Sequence, residues 1–180
     1  MRKTTVLVVL IILGCLGVPS DIEPVQGFDL DRYLGRWYEI ARLDHSFERG
    51  LTHVTADYSL SDDGRVRVLN RGYRPEKNRW ETEEGVADFV GPPEEGRLKV
   101  SFFGPFYGAY NIIALDRGAY GYAMVCGPNR GYLWILARQP YLAPEVLTDL
   151  TDRARTLGFA VEELIMVDHE PLDQPRTGGG

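Results

Sequence analysis

Covalent chemistry in a protein needs a nucleophile with a base in reach, a metal cage, or a loop that cradles phosphate. The 180-residue sequence offers two cysteines, Cys15 and Cys126, and three histidines, His45, His53 and His169. The histidines lie far apart without metal-ligand spacing, so each reads as a surface or loop residue and no metal is assigned. Cys126 has no histidine nearby in sequence to activate it, and reads as a small buried hydrophobe on a strand. A Ser, His and Asp set with a nucleophile-elbow signature is absent, and so is a Gly-rich phosphate loop. Catalysis and cofactor chemistry are therefore not expected. A net charge of -6, with Lys and Arg scattered, gives no field for nucleic acid either.

Cys15 has a different context. Arg2 and Lys3 form a positive start, and residues 6–13 form an apolar run too short to span a bilayer as a stable helix. This reads as an export signal. Its end, Ile12-Leu13-Gly14-Cys15, resembles the lipobox of bacterial lipoproteins, in which the Cys becomes the lipidated first residue; Leu13 is a less usual choice there. On that reading residues 16–27, with Gly17, Pro19, Pro24 and Gly27, are a short tether. Leu16 after the Cys, with no Asp, implies the outer membrane, facing the periplasm. The alternative is a plain cleaved signal and a soluble periplasmic or secreted protein. Either way Cys126 is the only thiol left in the body, so no disulfide can form within the domain and the core must hold the fold.

The elements that would position a site are mostly strands. Asp29 can cap a short helical turn carrying Leu30, Tyr33 and Leu34 and ending at Gly35. Eight stretches rich in Val, Ile, Tyr, Phe, Trp and Thr follow: 37–43, 52–60, 65–73, 79–90, 97–103, 107–115, 119–126 and 132–137. Turn sequences such as Asp62-Asp63-Gly64 and Asp116-Arg117-Gly118 separate them, so neighbours should pair antiparallel. The link 44–51 is longer and contains Phe47, which could form a lid. One amphipathic helix then runs from Pro144 through Leu147, Leu150, Ala154 and Leu157 to Gly158. A ninth strand is expected over 159–167 and a flexible tail over 169–180. Strand count alone leaves sandwich and barrel open. Closure removes exposed sheet edges, and eight strands leave an interior able to hold one small ligand.

Three local signatures decide between them. Gly35-Arg36-Trp37-Tyr38-Glu39-Ile40-Ala41 resembles the Gly-x-Trp opening of lipocalins, where a helical turn plugs the barrel. Residues 116–125, with Tyr120 and Tyr122, are similar to the family's second motif, and Trp134-Ile135-Leu136-Ala137-Arg138 to its third, whose Arg packs over the opening Trp. The resemblance covers residues 28–167, and the run Leu98 to Phe106 places it with bacterial outer-membrane lipocalins and apolipoprotein D, whose disulfides do not carry over. It implies an all-β, eight-stranded antiparallel up-and-down barrel over 28–168, with one C-terminal α-helix and a short ninth strand. Gly35, Trp37 and Arg138 are fold residues in it.

The resemblance further implies binding and transport or storage of a fatty acid or lysophospholipid in the cell envelope. Two other readings stay open: an enzyme acting on a barrel-bound lipid, and a ligand-free structural envelope lipoprotein. If Trp37 and Arg138 mark the inward parity, Glu39, Ala41, Trp134 and Leu136 share that face. Trp134 is then the leading ligand contact. Tyr110, Tyr122, Asn70 and Phe102 are further candidates, subject to any bulge that reverses parity. Glu39, a carboxylate inside a barrel, must be paired, neutralised or near water, and either recognises a ligand hydroxyl or ammonium or bonds a tyrosine. Phe103, Phe106 and Tyr107, near Pro105, are either a contact surface for a second copy in a homodimer or a packed loop.

Overall fold

The computed structural model describes residues 16–172. Cys15 with its leader, and the stretch 173–180, lie outside the described residues. A short helical turn, α1 (Leu30–Tyr33), opens the domain, and the Asp29 carboxylate accepts from the Arg32 amide at 3.4 Å, filling one of the donors a helix start leaves orphaned. Gly35, at φ +93°, then swings the chain into β1 (Gly35–Arg42).

Seven more strands follow: β2 (Thr52–Leu60), β3 (Val66–Arg74), β4 (Arg79–Phe89), β5 (Arg97–Phe103), β6 (Phe106–Leu115), β7 (Tyr122–Cys126) and β8 (Leu133–Ala137). Each pairs antiparallel with the next, and β1 pairs with both β8 and β2, so the eight close into a barrel with no free edge among them. The seventh strand starts at Tyr122 and not at 119. The Asp116 carboxylate accepts from the amides of Gly118, Ala119 and Gly121, which wraps residues 116–121 into the turn.

The helix α2 (Pro144–Thr156) begins on proline and stops before Gly158 at φ +82°. Its buried Leu150 and Ala154, flanked by Val146, Leu147 and Leu157, pack on the outside of the wall against Ile113, Met124, Cys126, Leu133 and Ile135. A second core fills the barrel: Phe28, Tyr33, Trp37, Val68, Ala87, Leu98, Ile112, Val125 and Leu136. The wall from β6 through β8 to β1 is thus apolar on both faces, while β2 to β4 alternate with solvent.

The chain beyond α2 departs from the sequence expectation. Val161–Glu163 winds into a 3-10 turn that tucks Phe159 and Val161 into the outer core, so the ninth strand shrinks from 159–167 to β9 (Ile165–Met166), paired with the outer end of β1. Residues 169 and 170 are held, not loose: a His169 ring nitrogen meets the Glu39 carbonyl at 2.8 Å and the His53 ring meets that of Glu170 at 2.5 Å. The segment 16–27 is likewise no free tether. The Val25 amide donates to Ile112 O and its carbonyl accepts from Gly96 N, both at 2.8 Å, while Val18 and Ile22 join the outer core.

Candidate functional site

The closed end of the barrel is built on Trp37, which is fully buried and donates its indole N–H to Tyr33 O at 2.8 Å. The Arg138 guanidinium lies 4.0 Å over the Trp37 ring and donates to the carbonyls of Arg32 (2.7 Å), Arg36 (2.9 Å) and Tyr120 (3.3 Å). Above this floor three phenols meet: Tyr110 OH lies 2.7 Å from Tyr33 OH and 2.9 Å from Tyr58 OH. Burial raises the pKa of all three, so they stay neutral and act as hydrogen-bonding groups. Among the sequence candidates, Tyr110 belongs to this cluster, and Phe102 packs against the interior core. Asn70, on β3 with Val68, lies in register with Ala56 of β2, and its Oδ1 is buried without a partner.

At the opposite end stands a polar cluster. Arg42, 1% exposed, donates from Nη1 to the Glu39 carboxylate at 2.7 Å and from Nη2 to the carbonyls of Glu48 (3.0 Å) and Leu51 (3.2 Å); its Nε is buried with no partner. Trp134 donates its indole N–H to Glu48 Oε2 at 3.0 Å. Burial, reinforced by the charge of Glu48 and opposed by Arg42, pushes Glu39 up to about 8; burial also raises Glu48, against the pull of Trp134 and Arg42. Two carboxyls thus face one guanidinium in a dry space, and the pair retains a proton at neutral pH.

The β1–β2 loop that delivers Glu48 covers this end, but not through Phe47. The His45 ring, 3% exposed, is stacked between Phe47 (5.3 Å between centroids) and Tyr132 (5.0 Å) and tilts onto Trp134 (4.6 Å), which leaves Phe47 61% exposed on top. His45 is therefore a loop residue, one of the two places its sequence context suggested, but its ring is buried and not at the surface. Burial, with help from Arg42, holds its pKa down to about 4, so it is neutral at neutral pH.

Two candidates fall outside the site. A register shift in β1 between Glu39 and Ala41 reverses the alternation, so Trp37 and Glu39 face in, Ala41 joins the core beneath α2, and Arg42 takes the inward place. Tyr122 packs on the same outer core, because Tyr120, at φ +56°, ends the turn before the strand begins; Ala123 and Val125 hold the inward positions. Phe103 and Phe106 stand exposed at the tip of the β5–β6 hairpin, while Tyr107 is half-buried, with Lys99 over its ring and its hydroxyl bonded to Arg65.

Sequence reasoning missed Arg42, Glu48, His45, Tyr33 and Tyr58. Of this cluster the sequence had pointed to Glu39 and Trp134; Arg42 at the end of β1 and Glu48 within the following loop are opposite charges six residues apart, a weak trace of their relation.

A closed barrel plugged at one end, with an apolar interior and polar groups at both ends, is the architecture of a cup that encloses a small hydrophobic molecule. The lipocalin-like domain family matches residues 28–169, and the chain belongs to the lipocalins, which bind small hydrophobic ligands. It is 52% identical to the outer membrane lipoprotein Blc of Vibrio cholerae, over 87% of this chain and 92% of that protein. It is 55% identical to Blc of Escherichia coli K12, over 83% and 84%. Rat apolipoprotein D is 40% identical over 71% of this chain and 70% of its own length. Among solved structures, insecticyanin from the tobacco hornworm Manduca sexta shares the fold with a TM-score of 0.68 at 22% identity, covering 85% of this chain and 87% of that one.

Proposed function

We propose that this protein binds and carries a single-chain amphiphile, a fatty acid or a lysophospholipid, in the bacterial cell envelope, without acting on it chemically. The observation that carries this reading is the polarity of the barrel interior. Ala56, Val68, Val100, Val125 and Leu136 belong to the interior core, with the Tyr33–Tyr58–Tyr110 cluster near the closed end and the Glu39–Arg42–Glu48–Trp134 cluster at the other, so the interior offers apolar wall with polar groups toward both ends. An acyl chain matches the wall and a polar head matches the mouth. Enclosing ten methylenes supplies roughly 8 kcal/mol before ordering costs, which supports affinity near micromolar.

Placement at the outer membrane follows from the Blc relatives and from the lipobox-like run ending at Cys15. An acyl anchor on Cys15 would sit one residue from Leu16, whose carbonyl lies 3.5 Å from Arg97 Nη2, and would hold the barrel wall close to the lipid headgroups. Mass spectrometry tests both parts. The full chain extracted from membranes should carry acyl mass on Cys15. The chain from residue 16 onward, titrated natively with palmitate and lysophospholipids, should form a saturable one-to-one complex that Trp134→Ala weakens. Uptake of no amphiphile at all would overturn the carrier reading.

A further inference from the structure

The mouth cluster contains an anion that the chain supplies to itself. Glu48 lies on a loop, yet its carboxylate is turned inward, 8% exposed, and takes the Trp134 indole N–H at 3.0 Å. Arg42 beside it keeps one buried donor, Nε, without a partner, although the same guanidinium holds the loop through the carbonyls of Glu48 and Leu51. An orphaned buried donor on a cation costs free energy that an incoming acceptor would recover. A buried carboxylate on a loop is the group most readily given back to water if the loop lifts.

Resting on the carrier reading above, we infer that Glu48 occupies the headgroup subsite as an internal stand-in for the ligand's anionic group, and that a carboxylate or phosphate head displaces it from Trp134 and pairs with Arg42. The geometry favours exchange over simple addition. Glu39 already takes one edge of the guanidinium, and since the two acids hold one negative charge between them at neutral pH, a further anion would be a second charge on one cation while Glu48 stays. As the loop lifts, Glu48 moves to solvent, Trp134 N–H and Arg42 Nε turn to the head, and the number of anions facing Arg42 is unchanged. Glu48 therefore sets headgroup preference by competing with it, and the chain selects for heads that out-compete a carboxylate.

This predicts an unusual sign: a conservative change at the mouth should tighten binding. Glu48→Gln keeps the size and an acceptor oxygen for Trp134 but removes the charge, so palmitate affinity should rise about tenfold, while hexadecanol, with the same chain and no charge, should move by less than about twofold. A lysophosphatidylglycerol of the same chain length separates a phosphate head from a carboxylate one, and should gain as palmitate does. Trp134→Phe, which keeps the ring and loses the N–H, should lower palmitate affinity relative to hexadecanol. Because each readout is a ratio between two lipids on one variant, general loosening of the loop cancels. Unchanged or weakened palmitate binding in Glu48→Gln, with hexadecanol still bound, would overturn the inference and leave the carrier reading standing. Failure of every lipid to bind the unaltered chain would overturn both.

Discussion

Arg138 does two jobs at the closed end, and the two have different partners. Its flat face lies 4.0 Å over Trp37, and its edge donates to three carbonyls, those of Arg32, Arg36 and Tyr120, which come from α1, β1 and the β6–β7 turn. One side chain thus ties three separate pieces of chain around the plug. Arg138→Ala removes the stacking and leaves three acceptors to find water, a loss of about 2 to 4 kcal/mol, read as a lower urea midpoint with unchanged slope. Arg138→Lys should recover less than half, since an ammonium has neither the plane nor the fork. Trp37 and Arg138 were readable because each sits in a short run that recurs as a unit. The Arg42–Glu48 relation was not, because its two residues are brought together by a loop whose path depends on the rings of His45, Tyr132 and Trp134.

At the scale of elements, alternation is a reliable guide only while the register is unbroken. Counting by twos from Trp37 reaches Glu39 correctly and then puts Ala41 inside, whereas the bulge in β1 puts Arg42 there. Another register shift, in β6 between Ile112 and Ala114, has the same effect, with Ile113 and Ala114 both under α2 and Leu115 back inside. Nothing local marks either position, since a bulge is chosen by the curvature the closed barrel requires. One close approach is marked by its residue type. A Cβ at Gly85 on β4 would stand 2.6 Å from Ser101 O and 2.7 Å from the Phe102 ring, so glycine lets Phe102 lie flat against the neighbouring strand. Gly85→Ala should cost about 1 to 3 kcal/mol, seen as a lower melting temperature, and should weaken lipid uptake by displacing Phe102.

For the whole molecule, the buried acids make stability depend on pH in an uncommon direction. The folded-state pKa of Glu39 is raised from 4.5 to about 8 by burial and by Glu48. A carboxyl raised on folding contributes stability that is complete below its unfolded value and is lost as pH rises through its folded value. The melting temperature should therefore fall between about pH 4.5 and about pH 8 and level off above that, and Glu39→Gln should flatten the fall; a profile in which the variant falls as steeply as the original would count against this account. The order of the strands, the plug, the single helix and the one-domain size are legible in the sequence because each rests on short-range patterns: alternation, turn residues, caps and three local motifs. What only the tertiary structure decided is which side chains share the interior. Barrel closure fixes the bulges, the bulges fix parity, and the folded-in loop brings Glu48 back beside Arg42 and onto Trp134, which lies far along the chain on β8; no local pattern encodes a distance across a closed sheet.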